Sequence, residues 1–200
     1  MKKLLYTLLA VSIIFSACKK EEETPTYNNN SALAIGDTHQ GGIIFYFDGN
    51  GGGLVAAISD QSSGGQLQNI WGCSGTNLPG ADGTAIGTGF QNTIDIIAGC
   101  TTSGTVADIC ANLNLNGYSD WFLPSRDELN LMWTNLADSD GDGFNNGVTD
   151  PNNLGGFAST NYWSSTEYDD FFVWHQNFTN GYQGYYTKFV HLRVRAVRAF

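Results

Sequence analysis

The run from Leu4 to Phe15 is apolar apart from Thr7 and Ser12, and it stops after a dozen residues. A helix needs about 20 apolar residues to cross a hydrocarbon core, so this run cannot span one. Met1-Lys2-Lys3 before it and the small pair Ser16-Ala17 after it are the flanks of a signal-peptide core. Residues 1–17 are therefore expected to leave the mature chain, and everything after them has to fold outside the cytoplasm. In that compartment thiols oxidise. Beyond Cys18, the remaining cysteines are Cys73, Cys100 and Cys110, which allow one disulfide and one leftover thiol. Val106, Ile109, Cys110 and Leu113 recur at helical spacing, which reads Cys110 as a core thiol and makes Cys73 with Cys100 the preferred pair.

Ser16-Ala17-Cys18 resembles the bacterial lipobox, in which the cysteine thiol is diacylated before cleavage. Cys18 is thus the expected lipidation site, and the lipid is the expected membrane anchor. Lys19-Lys20-Glu21-Glu22-Glu23 resembles the acidic export signal of Bacteroidota lipoproteins on the outer face of the outer membrane. Residues 18–34, which include the aperiodic stretch TPTYNNNS, read as a flexible tether. Residues 35–200 are long enough for one domain with a real core. Once Lys2 and Lys3 are gone, seven basic residues face nineteen acidic ones. Such a body repels nucleic acid and cannot supply a basic track for a phosphate backbone.

Within the domain, Gly41 to Phe47 and Leu54 to Ser59 read as two strands around Asp48-Gly49-Asn50-Gly51, so that residues 42–59 form a hairpin. Residues 60–90, rich in Gly, Ser, Thr and Asn, read as a long loop anchored by Trp71 and Cys73. Helices are expected over Thr93–Ala98 and Thr105–Leu115, and a third after Ser125, where Ser125 and Glu128 form a capping box. Its buried stripe is Leu129, Met132, Trp133 and Leu136. Strands follow over Tyr162–Ser165, Phe171–Phe178 and Val190–Phe200, the last with period-2 alternation. The fold class is α+β, an antiparallel sheet with two or three helices and long loops.

Six strings, GGIIFYFD, GLVAAISDQS, GADGTAIGTG, NGYSDWFLPSRDELN, YWSSTEY and RVRAVRAF, resemble the C-terminal domain of the Legionella collagen-like protein. That family also occurs in Fibrobacter paralogous surface domains. The resemblance runs from about Ile35 to Phe200 and implies a C-type-lectin-like fold, with adhesion or glycan binding as the implied role. Sulfate recognition favours clustered Lys and Arg. Here the domain is acidic, which shifts the expectation toward neutral glycans or protein partners.

Asp138-Ser139-Asp140-Gly141-Asp142-Gly143 matches the first half of an EF-hand-type loop, with oxygen ligands at positions 1, 3 and 5 and glycine at 6. The expected structural Ca2+ set is Asp138, Asp140, Asp142, the Phe144 carbonyl, Asn146 and Asp150, although Thr149 stands where the bidentate Glu belongs. The bland reading is an acidic surface turn. Tyr182, Gln183, Tyr185 and Tyr186 fall in an expected hairpin loop and are the first choice for ligand contacts. Trp163 and Trp174 are expected in the core. Arg195 and Arg198, in an apolar terminal strand, need carboxylate partners, for which Glu167, Asp120 and Glu128 are candidates. Asp120, Trp121, Pro124 and Glu128 are read as structural residues of the DWFLPSRDEL string. His39, His175 and His191 stand apart from any Ser or Cys nucleophile, so catalysis is not expected. The expectation is a surface-anchored outer-membrane lipoprotein with a non-catalytic domain that binds glycan, another extracellular polymer or a surface protein. The alternatives are a structural protein-interaction domain of an envelope complex and a glycan-active enzyme.

Overall fold

Gly42–Phe47 (β2) and Gly53–Ala57 (β3) pair antiparallel, as their β-branched and aromatic content and the intervening Asp-Gly-Asn-Gly turn require. These are two strands of a computed structural model that describes residues 32–200. The expected signal peptide, the expected lipidation site Cys18 and nearly all of the expected tether lie outside the described residues. Thr38–His39 (β1) pairs with β2, and Val197–Ala199 (β9) pairs with β3, giving a four-stranded sheet in the order β1-β2-β3-β9.

A second sheet has the order β4-β8-β5-β6-β7. It contains Gln68–Ile70 (β4), Asn161–Glu167 (β5), Phe172–Asn177 (β6), Gln183–Thr187 (β7) and His191–Arg193 (β8). The pairing of β5 with β8 is parallel, so the expected single antiparallel sheet is in fact two sheets, one of them mixed. The expected terminal strand over 190–200 is likewise two strands, because the chain leaves the second sheet after Arg193 and enters the first at Val197. Arg195 marks the crossing. Tyr182 to Tyr186, expected as a loop, are mostly strand β7, and the loop over 60–90 contains the short strand β4.

The helices are Gly89–Gly99 (α1), Val106–Ala111 (α2) and Arg126–Met132 (α3), the last continued by a π-helical turn over Trp133–Ala137. Thr105 with Asp108 and Ser125 with Glu128 close capping boxes at the starts of α2 and α3. Glu128 does more than cap. Its carboxylate accepts from Ser125 N and from Gly87 N, both at 2.7 Å, and so ties the loop before α1 to the start of α3. Burial raises its pKa, and these backbone donors oppose the shift.

Alternate residues of β2 and β3 enter two different cores. Ile44, Val55 and Ala57 pack with Trp71, Trp121 and Trp163, whereas Phe45, Leu54 and Ala56 pack with Leu129, Met132, Phe157 and Tyr162. A strand buried on both faces reads as a continuous apolar run, which is why GLVAA lacks polar alternation. The buried indoles keep their N–H groups satisfied: Trp71 donates to Ser164 O at 3.0 Å and Trp163 to Asn69 O at 2.9 Å. Cys73 and Cys100 form a disulfide across 27 residues of sequence, a closure that contributes roughly 3–4 kcal/mol in the chain-entropy account. Cys110 is a free, buried thiol whose pKa burial drives upward.

Apart from Arg126 with its neighbour Asp127, each ion pair among the described residues joins positions far apart in sequence. Arg195 donates to Asp60 through Nε at 2.8 Å, and its Nη1 donates to Ala57 O and Gly155 O at 3.0 and 2.8 Å. Asp60 was not among the expected partners of Arg195; it also accepts from Arg193 at 2.6 Å and from the Tyr162 hydroxyl at 3.0 Å. Arg198 does pair with Asp120 and lies over the Tyr118 ring. Glu167 pairs with Lys188, not with an arginine, and accepts from Leu78 N at 3.0 Å. The Lys188 ammonium is fully buried, donates to Thr76 O at 2.7 Å and sits 5.0 Å from the centre of the Trp71 ring. Removing one member of such a pair strands the other charge. Lys188→Met is expected to lower stability by about 3–5 kcal/mol in urea unfolding, and adding Glu167→Gln should restore a measurable part of the loss.

Candidate functional site

β6 and β7 form a hairpin at the edge of the second sheet, and its turn is built by one asparagine. Asn177 Oδ1 accepts from Thr179 N at 2.7 Å, Asn177 O accepts from Gly181 N, and Asn177 N donates to Tyr182 O, both at 2.8 Å. The register sets His175 opposite Gly184 and opposite Trp163 of β5, with Asn161 opposite Asn177. Successive side chains of a strand point to opposite faces. One face of the hairpin therefore carries His175, Gly184 and Tyr186; the other carries Trp174 and Tyr185.

The His175 face holds a cleft of about 370 Å³ bordered by Asn161, His175 and Asn177 below and by Tyr182, Tyr185 and Tyr186 around it. The Tyr186 ring stacks on the imidazole of His175 at 4.3 Å between centroids. Tyr182 crosses over Gly184. A Cβ on Gly184 would stand 2.8 Å from the Tyr182 ring and 3.1 Å from His175 Cε1, so only glycine leaves the tyrosine room to lie beside the histidine. Tyr182 is 64% exposed and Tyr186 41%, whereas His175 is 4% exposed. Two polar atoms of the cleft's lower wall, Asn161 Oδ1 and His175 Nδ1, are buried without a hydrogen-bond partner. Buried polar groups are nearly always paired, so two orphans on adjacent strands mark an unfinished arrangement. Burial holds the His175 imidazole down at about pKa 4, against a smaller upward pull from the Gly184 backbone. It is neutral at physiological pH.

The four ligand-contact residues expected from sequence separate here. Tyr182 and Tyr186 wall the cleft. Tyr185 borders it but turns its ring to stack on Tyr168 at 4.6 Å, beside Trp174. Gln183 is engaged internally, donating to Arg126 O at 3.0 Å and to Gln176 Oε1 at 3.1 Å. Trp163 is fully buried, but Trp174 is not in the core. It lies half-buried beneath the Arg126 guanidinium, 5.1 Å from the ring centre. Asn161 and His175 were not singled out from sequence, because their meeting depends on the register between β5 and β6.

In the acidic loop, Asp138, Asp140 and Asp142 bring one carboxylate oxygen each within 4.8 Å of one another. Burial, reinforced by the charges of Asp142 and Asp140, raises the Asp138 pKa against the pull of Gly143 N. Of the remaining expected ligands, Asn146 and Asp150 are engaged with each other. Asp150 accepts from Asn146 N and Asn152 N, both at 3.0 Å, which lowers its pKa, and Asn146 Nδ2 also donates to it. Each of the three carboxylates already accepts a hydrogen bond, Asp138 from Gly143 N, Asp140 from Asn152 Nδ2 and Asp142 from Phe144 N, and such a cluster suits a hard cation that completes its shell with water.

The depressed pKa of His175 fixes a pH dependence. Between about pH 6.5 and 4 the unfolded imidazole is protonated and the folded one is not, so stability falls as pH drops through that window. The Tyr186 ring and the Gly184 backbone lie against this imidazole, and no charged side chain borders the cleft. Urea unfolding of the wild type and of His175→Gln, compared from pH 8 to 4, should give curves parallel above pH 7. The wild type should lose ground to the variant below pH 6.5.

Comparison with curated protein sequences returns no significant match. Among protein families, the Lcl C-terminal domain matches residues 70–198, from the end of β4 into β9, which takes in the whole β6–β7 hairpin and its cleft. The β2–β3 hairpin precedes the matched span yet completes its packing through the pairing of β3 with β9. This chain belongs to the Lcl C-terminal domain family.

Proposed function

We propose that this chain is a lipoprotein of the outer membrane, anchored through Cys18, whose folded domain binds a glycan or another extracellular polymer without transforming it. Family membership marks a surface or secreted domain. The observation that carries the finer reading is the cleft between Tyr182 and Tyr186, where exposed aromatic walls stand over two unpaired polar groups. Tyrosine presents a large face at low conformational cost and suits the apolar face of a sugar ring, while amide and imidazole groups meet its hydroxyls. A non-catalytic role is supported by the state of the carboxylates that line the domain's other grooves. Asp108 is held in a capping box, Asp60 between two arginines, and Asp48 by the backbone N–H groups of Asn50 and Gly52.

A protein-interaction role has one observation in its favour. Phe90, Ile94 and Ile97 form an exposed apolar stripe along α1. The two readings separate on a glycan array probed with the full-length protein. Saturable binding, weakened at least tenfold by Tyr182→Ala or Tyr186→Ala, is the expected result. An array without binding would move the function to the α1 stripe.

Calcium enters the same reading as a structural ion of the loop formed by Asp138, Asp140 and Asp142. Millimolar calcium should then raise the melting temperature by a few degrees, as expected for a ligand that binds only the folded state. Asp140→Asn combined with Asp142→Asn should abolish the increase.

A further inference from the structure

We infer that the cleft selects an uncharged sugar ring, recognised through neighbouring hydroxyls, and discriminates against sulfated, carboxylated and amino sugars. This rests on the binding reading above and names the ligand class for that site.

The hydrogen-bonding requirement of the two unpaired atoms supplies the first reason. An amide oxygen such as Asn161 Oδ1 needs a donor, whereas a nitrogen of a neutral imidazole needs a donor or an acceptor according to its tautomer. A hydroxyl is both donor and acceptor, so it satisfies either group. A sulfate or an ionised carboxylate only accepts and would set acceptor against acceptor at Asn161. An ammonium only donates and would bring its charge into a site without a counter-charge.

Charge gives the second reason. No Lys, Arg, Asp or Glu borders the cleft, and His175 is uncharged at neutral pH. A charged ligand would lose its hydration there without gaining a partner. The net charge of −10 opposes the approach of polyanions as well.

Position is the third. Asn161 faces Asn177 across the β5–β6 pair, and His175 lies two residues from Asn177 on the same face, so Asn161 and His175 are diagonal neighbours. Such neighbours are about 7–8 Å apart at the backbone and somewhat less at Cβ, a span that two hydroxyls of one ring can bridge. Both atoms are sealed from solvent in the unliganded conformation, with Tyr186 stacked over the imidazole. Entry therefore requires the exposed tyrosine rings to turn outward, after which each orphan recovers a bond whose absence costs about 1–3 kcal/mol.

The test uses the full-length protein in detergent against immobilised mannan, dextran and galactan, with heparin, alginate and chitosan as the charged set. Retention by at least one neutral polymer, at least tenfold stronger than by any charged one, is expected. Tyr182→Ala, which alters an exposed side chain, should remove it. Asn161→Asp, which introduces a carboxylate into the cleft, should shift preference at least tenfold from the neutral polymer toward chitosan. Retention by heparin, alginate or chitosan alone, lost in Tyr182→Ala, would overturn the ligand class and leave the cleft as the binding site. Neutral binding unchanged in Tyr182→Ala would overturn the site. Failure to bind any polymer would overturn the binding reading together with this inference.

Discussion

The domain depends on the charge pair between Arg195 and Asp60. Arg195 lies where the chain passes from the second sheet to the first, and its guanidinium reaches β3 through Ala57 O and the 155–156 turn through Gly155 O. It also stacks 4.2 Å from the centre of the Phe157 ring. Asp60 holds Arg193, Arg195 and the Tyr162 hydroxyl at once. A buried ion pair is poor evidence for net stability, since desolvation offsets its Coulomb gain. Its value here is geometric: it fixes one arrangement of two sheets that share few backbone hydrogen bonds. The cleft inherits that arrangement, because β5, which carries Asn161, also carries Tyr162.

Local signals in the sequence translated well into local structure. The capping box of Ser125 and Glu128, the turn between β2 and β3, and the helical spacing around Cys110 all depend on residues a few positions apart, and the structure holds each element. Pairing across long sequence distances was less legible. Asp60 lies more than a hundred residues from its arginines, within a stretch whose composition reads only as loop. Lys188 sits between aromatic residues in a string that resembles a surface turn, yet its ammonium is wholly buried against Glu167 and Trp71.

The site shows the same division. Tyr182 and Tyr186 stood out as aromatics in a turn-rich stretch, and they wall the cleft. Gln183 carried the same polar promise but is used to brace α3 against the hairpin. Asn161 and His175 carry no signal alone, and their role follows from a strand register that no short motif encodes. The acidic loop is intermediate. Its alternating aspartates announced a cluster, while the engagement of Asp150 with Asn146 and Asn152 became visible only in three dimensions.

The placement of β8 and β9 bears on how the molecule comes to be folded at all. Among the described residues β8 joins β4 to β5, and β9 closes the edge of the other sheet, so residues 191–200 finish both. Contacts of such long sequence separation form late and slowly. A chain synthesised or threaded through a pore from its N-terminus would hold neither sheet complete until the last residues emerged. The β2–β3 and β5–β6–β7 pairings can form earlier, but a chain truncated before β8 would leave β4 without its partner and β3 without β9.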